Sequence, residues 1–174
     1  SGGIYIGGGC NVASNGEEQA KDVRAVVEQF GKLPYVDRTR ILIVGQSHGG
    51  LTTMAYGAAP DPGVKGLINF AGGLRQDTCS GWEGALARAF GSYGEAAKLP
   101  SLWFYGENDS YWKPDVYRAM HAAYVKSGAS VRLVEFGVFR NDAHSMFSSR
   151  DGLAIWVPQV ERFLEEIGMP SKAM

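Results

Sequence analysis

The stretch ILIVGQSHGG, residues 41–50, sets the reading of the whole chain. Four apolar residues, Ile41 to Val44, run straight into a serine with a glycine two positions to either side. A short, uninterrupted, β-branched run of this kind reads as a strand buried on both faces, as in a parallel sheet. A helix is expected from about Gly50 to Ala58, so Ser47 falls where a strand turns at once into a helix. Such a corner imposes strained backbone geometry on the residue that occupies it and leaves the side chain projecting. Gly45 and Gly49 would let the neighbouring backbone close up without a Cβ clash. The amides of the following helix would face the serine oxygen. The plainer alternative is a Gly-rich strand–helix turn with a capping serine.

Outward from this corner, helical and strand signals alternate. Upstream, Ala20, Val23, Val26, Val27 and Phe30 carry helical spacing over Glu17–Phe30, with Ser14 or Asn15 as cap and Gly31 as stop. Downstream, Pro60-Asp61-Pro62-Gly63 is a turn and Gly66–Phe70 a strand. A loop with a short helix spans Trp82–Ala97, and Leu102–Tyr105 is the third strand. Asp115–Lys126 reads as a helix, Val131–Phe136 as the fourth strand and Leu153–Ile167 as the closing helix. This alternation predicts an α/β fold: a parallel sheet joined by right-handed crossovers, with helices on both faces. Residues 1–15 read as loop. The opening SGGIYIGGG has no G-K-[ST] ending to support a nucleotide site.

Ligands of open parallel sheets sit beyond the carboxyl ends of the strands. A serine hydroxyl at such an end is a weak nucleophile until a base and an orienting acid stand near it. In a strand–turn–helix elbow of this type those partners are expected later in the chain, acid before base. The third strand leads to Tyr105-Gly106-Glu107-Asn108-Asp109, and the fourth leads through a loop to Asp142-Ala143-His144. His144 is the preferred base. His48 runs into the helix and would point away from Ser47, and His121 lies within a helix. Asp109 is the preferred acid, ahead of Glu107 and of Asp77 in the loop after the second strand. Asp142 reads as a turn residue of the histidine loop, and Asp115/Arg118 and Glu165/Glu166 as solvated helix faces. Tyr111, Trp112 and Phe147 either line an apolar acyl pocket or pack in the core.

Composition narrows the rest. The 174 residues, 45% hydrophobic and 20% charged, suit a single globular domain or part of one. A net charge of −1 with no basic run gives no footprint for nucleic acid or an anionic membrane. No apolar stretch approaches the roughly 18–20 residues that span a bilayer, and the compartment stays open. The histidines lack zinc-ligand spacing, and no cofactor is implied. Cys10 and Cys79 read as two separate thiols, with a disulfide as the alternative in an exported protein.

Taken together, LPYVDRTRILIVGQSHGG, GLINFAGG, PSLWFYGENDSYW and DAHSMF resemble the α/β-hydrolase fold. Within it they are closest to the dienelactone-hydrolase-like branch of serine esterases and related peptidases. The resemblance covers nearly the whole chain. It implies a serine hydrolase acting on carboxylic esters or similar acyl bonds through an acyl-enzyme, with a peptidase as the alternative. Ser47 would be nucleophile, Asp109 acid, His144 base, and the backbone amide of His48 one oxyanion donor. The founding enzymes of that branch use cysteine where this chain has Ser47, which favours ester over lactone chemistry. The fold is also expected to begin with further strands and a loop carrying the second oxyanion donor. The chain therefore reads as the C-terminal part of a hydrolase domain, completed by a preceding segment or a second chain. Otherwise it would be an inactive fragment or binding module.

Overall fold

The computed structural model describes residues 10–171; the Gly-rich opening read as loop lies outside them. Four strands, β1 (Ile41–Gln46), β2 (Val64–Phe70), β3 (Ser101–Tyr105) and β4 (Val131–Glu135), form one sheet in the order β1-β2-β3-β4. All three pairings are parallel. Among the described residues five α-helices accompany them: α1 (Val12–Phe30), α2 (His48–Tyr56), α3 (Trp82–Ala96), α4 (Pro114–Lys126) and α5 (Leu153–Glu166). This is the expected parallel α/β architecture with both faces covered.

Period-two alternation along the buried central strands divides the interior in two. Leu67 of β2 and Trp103 and Tyr105 of β3 face a core built with α1 to α4. Ile68, Phe70, Leu102 and Phe104 face the opposite way, toward Phe139, Met146 and Phe163 of α5. Successive right-handed crossovers between neighbouring strands put α2, α3 and α4 on the same face. Only α5, after the last strand, returns over the other. β1 lies at one end of the sheet, with Val44 45% exposed. Among the described residues no helix is long and apolar enough to cross a membrane.

Three differences from the sequence reading have physical causes. First, α1 begins five residues early, at Val12 rather than Glu17, so residues 12–15 are helix and not loop. The added turn is held by tertiary contacts. Tyr93 Oη donates to the carbonyl of Ala13 at 2.8 Å, and a Cβ on Gly16 would lie 2.3 Å from that hydroxyl. Asn15 is not a cap; it is buried in the interface with α2. Second, Trp82–Ala96 is a full 15-residue helix, not a short one within a loop. Its glycines serve close packing: a Cβ on Gly94 would meet the Tyr124 carbonyl of α4 at 2.8 Å. Third, Cys10 and Cys79 are not separate thiols. They form a disulfide with a Cα–Cα distance of 5.6 Å across a sequence separation of 69. It ties the loop after β2 to the start of α1, and closing a loop of that size contributes about 4 kcal/mol in the chain-entropy account.

Candidate active site

Ser47 stands between β1 and α2 with φ 54° and ψ −123°, a left-handed conformation that costs a non-glycine residue about 1–3 kcal/mol. Backbone bonds hold it there from both sides. Its N–H donates to Phe70 O of β2 at 3.0 Å, and its carbonyl accepts from Gly50 at 2.9 Å and Gly73 at 3.0 Å. The glycines that make this possible are only partly those the sequence suggested. A Cβ on Gly45 would sit 2.1 Å from Gly49 O, whereas one on Gly49 would meet nothing within 4 Å. The second obligatory position is Gly50, where a Cβ would fall 2.4 Å from Asn69 Oδ1 and 2.5 Å from Gly72 Cα. Gly45→Ala is therefore expected to lose at least about 3 kcal/mol through backbone overpacking. Gly49→Ala should stay within about 1 kcal/mol, the helix-propensity range. Urea unfolding of the two variants checks the contrast.

Beneath the elbow, Asn69 and Tyr105 are both fully buried. Asn69 Nδ2 donates to Tyr105 Oη at 3.1 Å, and Tyr105 Oη donates to Gly72 O at 2.6 Å. Burial pushes the Tyr105 phenol far above its ordinary pKa, so it remains a neutral donor. This relay fixes the loop whose Gly73 amide holds the Ser47 carbonyl.

Asp109, four residues past the end of β3, is fully buried. A lone carboxylate there would be costly without donors. Its Oδ1 accepts from the amides of Tyr111 at 2.8 Å and Trp112 at 3.0 Å, and its Oδ2 lies 3.1 Å from His144 Nδ1. Because a carboxylate only accepts, that contact assigns the proton of a neutral His144 to Nδ1 and leaves Nε2 with a free lone pair. The sequence candidates Asp109 and His144 are thus brought together across 35 residues. The rivals are placed elsewhere. Glu107 is exposed, and Asp77 pairs with Arg75 at 2.6 Å on the surface. His121 is half-buried with its ring edge-on to Trp103. His48 turns its imidazole to α1, where Nε2 lies 2.8 Å from both Asn15 Oδ1 and Gln19 Nε2. Burial lowers its pKa, favouring the neutral ring. The His48 amide, at the first position of α2, belongs to the turn whose N–H groups lack intrahelical partners.

Two links that no local pattern announces staple the acid loop to the base loop. Asn108 Oδ1 accepts from Phe139 N–H at 2.9 Å, and Asn108 Nδ2 donates to Arg140 O at 3.0 Å. Asp142 accepts from Ser110 N–H at 3.0 Å, from Ser110 Oγ at 2.7 Å and from His144 N–H at 2.9 Å. Burial works to raise the Asp142 pKa, but these donors outweigh it and hold the carboxyl below its ordinary range. A third link, from Gln46 Nε2 to His144 O at 2.9 Å, joins the elbow to the base loop. Its sequence signal was only a position inside the pentapeptide around Ser47.

Of the three aromatic residues with two readings, Trp112 is core. It is 1% exposed, and its Nε1 donates to Ala71 O at 2.6 Å. Phe147 stacks on Phe70 with ring centroids 4.2 Å apart. Tyr111 is 46% exposed with its ring 4.5 Å from that of His144. It also lines a groove of about 530 Å³ together with Arg75, Trp82, Glu83 and Lys113.

The model of the prolyl oligopeptidase family matches residues 12–169. No curated protein sequence matches the chain. Solved structures of the same fold include a Klebsiella pneumoniae protein assigned as a dienelactone hydrolase. It shows 18% identity and a TM-score of 0.62 over 86% of this chain and 60% of that one. A Mycobacterium tuberculosis puromycin-hydrolyzing peptidase gives 17% and 0.57 over 84% and 25%. The Pyrococcus horikoshii acylaminoacyl peptidase gives 19% and 0.69 over 94% and 30%. The chain thus spans 60% of the first of these structures and about a quarter of the second.

Proposed function

The chain belongs to the prolyl oligopeptidase family, and from that premise we propose that the protein is a serine hydrolase cleaving carboxylic acyl bonds with Ser47 as nucleophile. The carrying observation is the buried Asp109 held 3.1 Å from His144 Nδ1, on a loop that the Gln46 side chain ties to the strand end just before Ser47 and its left-handed corner. In this reading Ser47 Oγ attacks the substrate carbonyl while His144 Nε2 takes its proton. The imidazolium that forms is stabilised by Asp109. The carbonyl π electrons move onto oxygen, and the His48 amide at the positive end of α2 donates to that oxyanion. Collapse expels the leaving group, which recovers the proton from His144. Water then attacks the acyl-enzyme by the same relay and releases the acid. The groove that Tyr111 helps to line is of a size for one side of a small substrate.

The leaving group is an alkoxide for an ester and an amine for a peptide. The chemistry of Ser47, His144 and Asp109 serves both. The family match favours a peptide bond as the second reading. The test uses the full-length protein. A fluorophosphonate probe should form one adduct, and peptide mapping should place it on Ser47. Turnover of matched ester and anilide substrates then ranks the two bonds. An adduct at another residue would sink the assignment of Ser47.

A further inference from the structure

Gln46, the residue immediately before Ser47, has no part in the chemistry above, yet it ends β1 pointing at the base. Its Nε2 donates to the His144 carbonyl at 2.9 Å across a sequence separation of 98. Among the described residues this is the only hydrogen bond joining the β1–α2 elbow to the loop from Phe136 to Gly152. Links from the acid side include Asn108 to Phe139 and Arg140, Glu107 to Gly137, Ser110 to Asp142, and Asp109 to the imidazole itself. Those links fix His144 relative to Asp109. Toward the elbow the loop is otherwise held by apolar packing, Phe147 on Phe70, which sets no direction for a hydrogen bond.

We infer that Gln46 is a positioning residue whose side-chain amide sets the spacing between Ser47 and His144. The surroundings make this bond hard to replace. Gln46 and His144 border a packed apolar pocket shared with Phe70, Phe136, Met146 and Phe147, with no room among them for a water molecule. Without the amide the part-buried His144 carbonyl loses its side-chain donor, and no hydrogen bond among the described residues then ties the loop to the strand end before Ser47. A shift of about 1 Å in a reacting group can cost about 10²-fold in rate. This role rests on the serine-hydrolase reading above, because it concerns the distance across which Ser47 loses its proton.

Two variants of the full-length protein test it, read by the rate of fluorophosphonate labelling at Ser47 between pH 6 and 8. Gln46→Met keeps the length of the side chain and removes the donor. Labelling should slow by about 10- to 100-fold at every pH, and KM for a reversible substrate should change less than about twofold. Gln46→Glu replaces the donor by a group that donates only when protonated. Facing a carbonyl in an apolar pocket, that carboxyl titrates above its ordinary range. Its labelling rate, taken as a ratio to wild type, should therefore rise as pH falls from 8 to 6, whereas the Gln46→Met ratio stays flat. Wild-type labelling by Gln46→Met, or a Gln46→Glu ratio independent of pH, would overturn the inference while leaving the nucleophile in place. A wild-type protein that does not label at Ser47 would remove the serine-hydrolase reading itself, and the role of Gln46 with it.

Discussion

Ser47→Ala is expected to lower kcat by about 10⁵- to 10⁶-fold while leaving KM and the folded structure nearly unchanged. Alanine accepts the same left-handed backbone at the same cost, and the bonds that hold the corner run through backbone atoms, namely the Ser47 N–H and carbonyl with Phe70, Gly50 and Gly73. What is lost is the oxygen alone. Without it, a water molecule would have to attack the substrate carbonyl directly, with the His48 amide and the α2 dipole as the remaining help. Such donors leave a residual acceleration of about 10³–10⁴ over water. Steady-state kinetics with an ester substrate, alongside thermal unfolding, separates loss of the nucleophile from loss of the fold. Residual activity above about 1% would mean that another group attacks.

Asp109→Asn should lower kcat by about 10⁴-fold, and for a different reason. The asparagine can still accept from the amides of Tyr111 and Trp112 through its carbonyl oxygen, so the loop after β3 keeps its shape. The amide group would then face His144 Nδ1 as a donor. A neutral imidazole would answer by carrying its proton on Nε2, the wrong nitrogen for taking one from Ser47. The imidazolium formed during attack would also lose its buried counter-charge. The variant should fold, bind substrate with little change in KM, and label slowly with the fluorophosphonate. A drop of less than about tenfold would assign the orienting role to some other carboxylate.

The elbow and the strands were legible because their signals are local. Ile41–Val44 is continuous and β-branched, and Gly45 clears the space that the strand–helix corner needs. The order of Ser47, Asp109 and His144 along the chain followed from where the strands end. Features that depend on distant partners left no such trace. The first turn of α1 exists because Tyr93 donates into it from α3. Trp112 is core because Ala71 offers its carbonyl. The Cys10–Cys79 bond depends on two segments meeting, not on spacing. Gly49 was credited with a clearance that belongs to Gly50, because helix phase decides which of two adjacent glycines faces Asn69 and Gly72. Gln46 was marked only by its place in the pentapeptide around Ser47, since a glutamine at a strand end is ordinary until its partner is known.

The relay from Ser47 to His144 to Asp109 is the central claim, and a crystal structure of the full-length protein after reaction with a phosphonate ester tests it most directly. The account predicts phosphorus bonded to Ser47 Oγ and His144 Nε2 within about 3 Å of that oxygen or of the leaving-group position. Asp109 should remain on Nδ1, and the phosphoryl oxygen should face the His48 amide. Phosphorus on another side chain, or a His144 ring too far from Ser47 to be bridged by even one water, would contradict it.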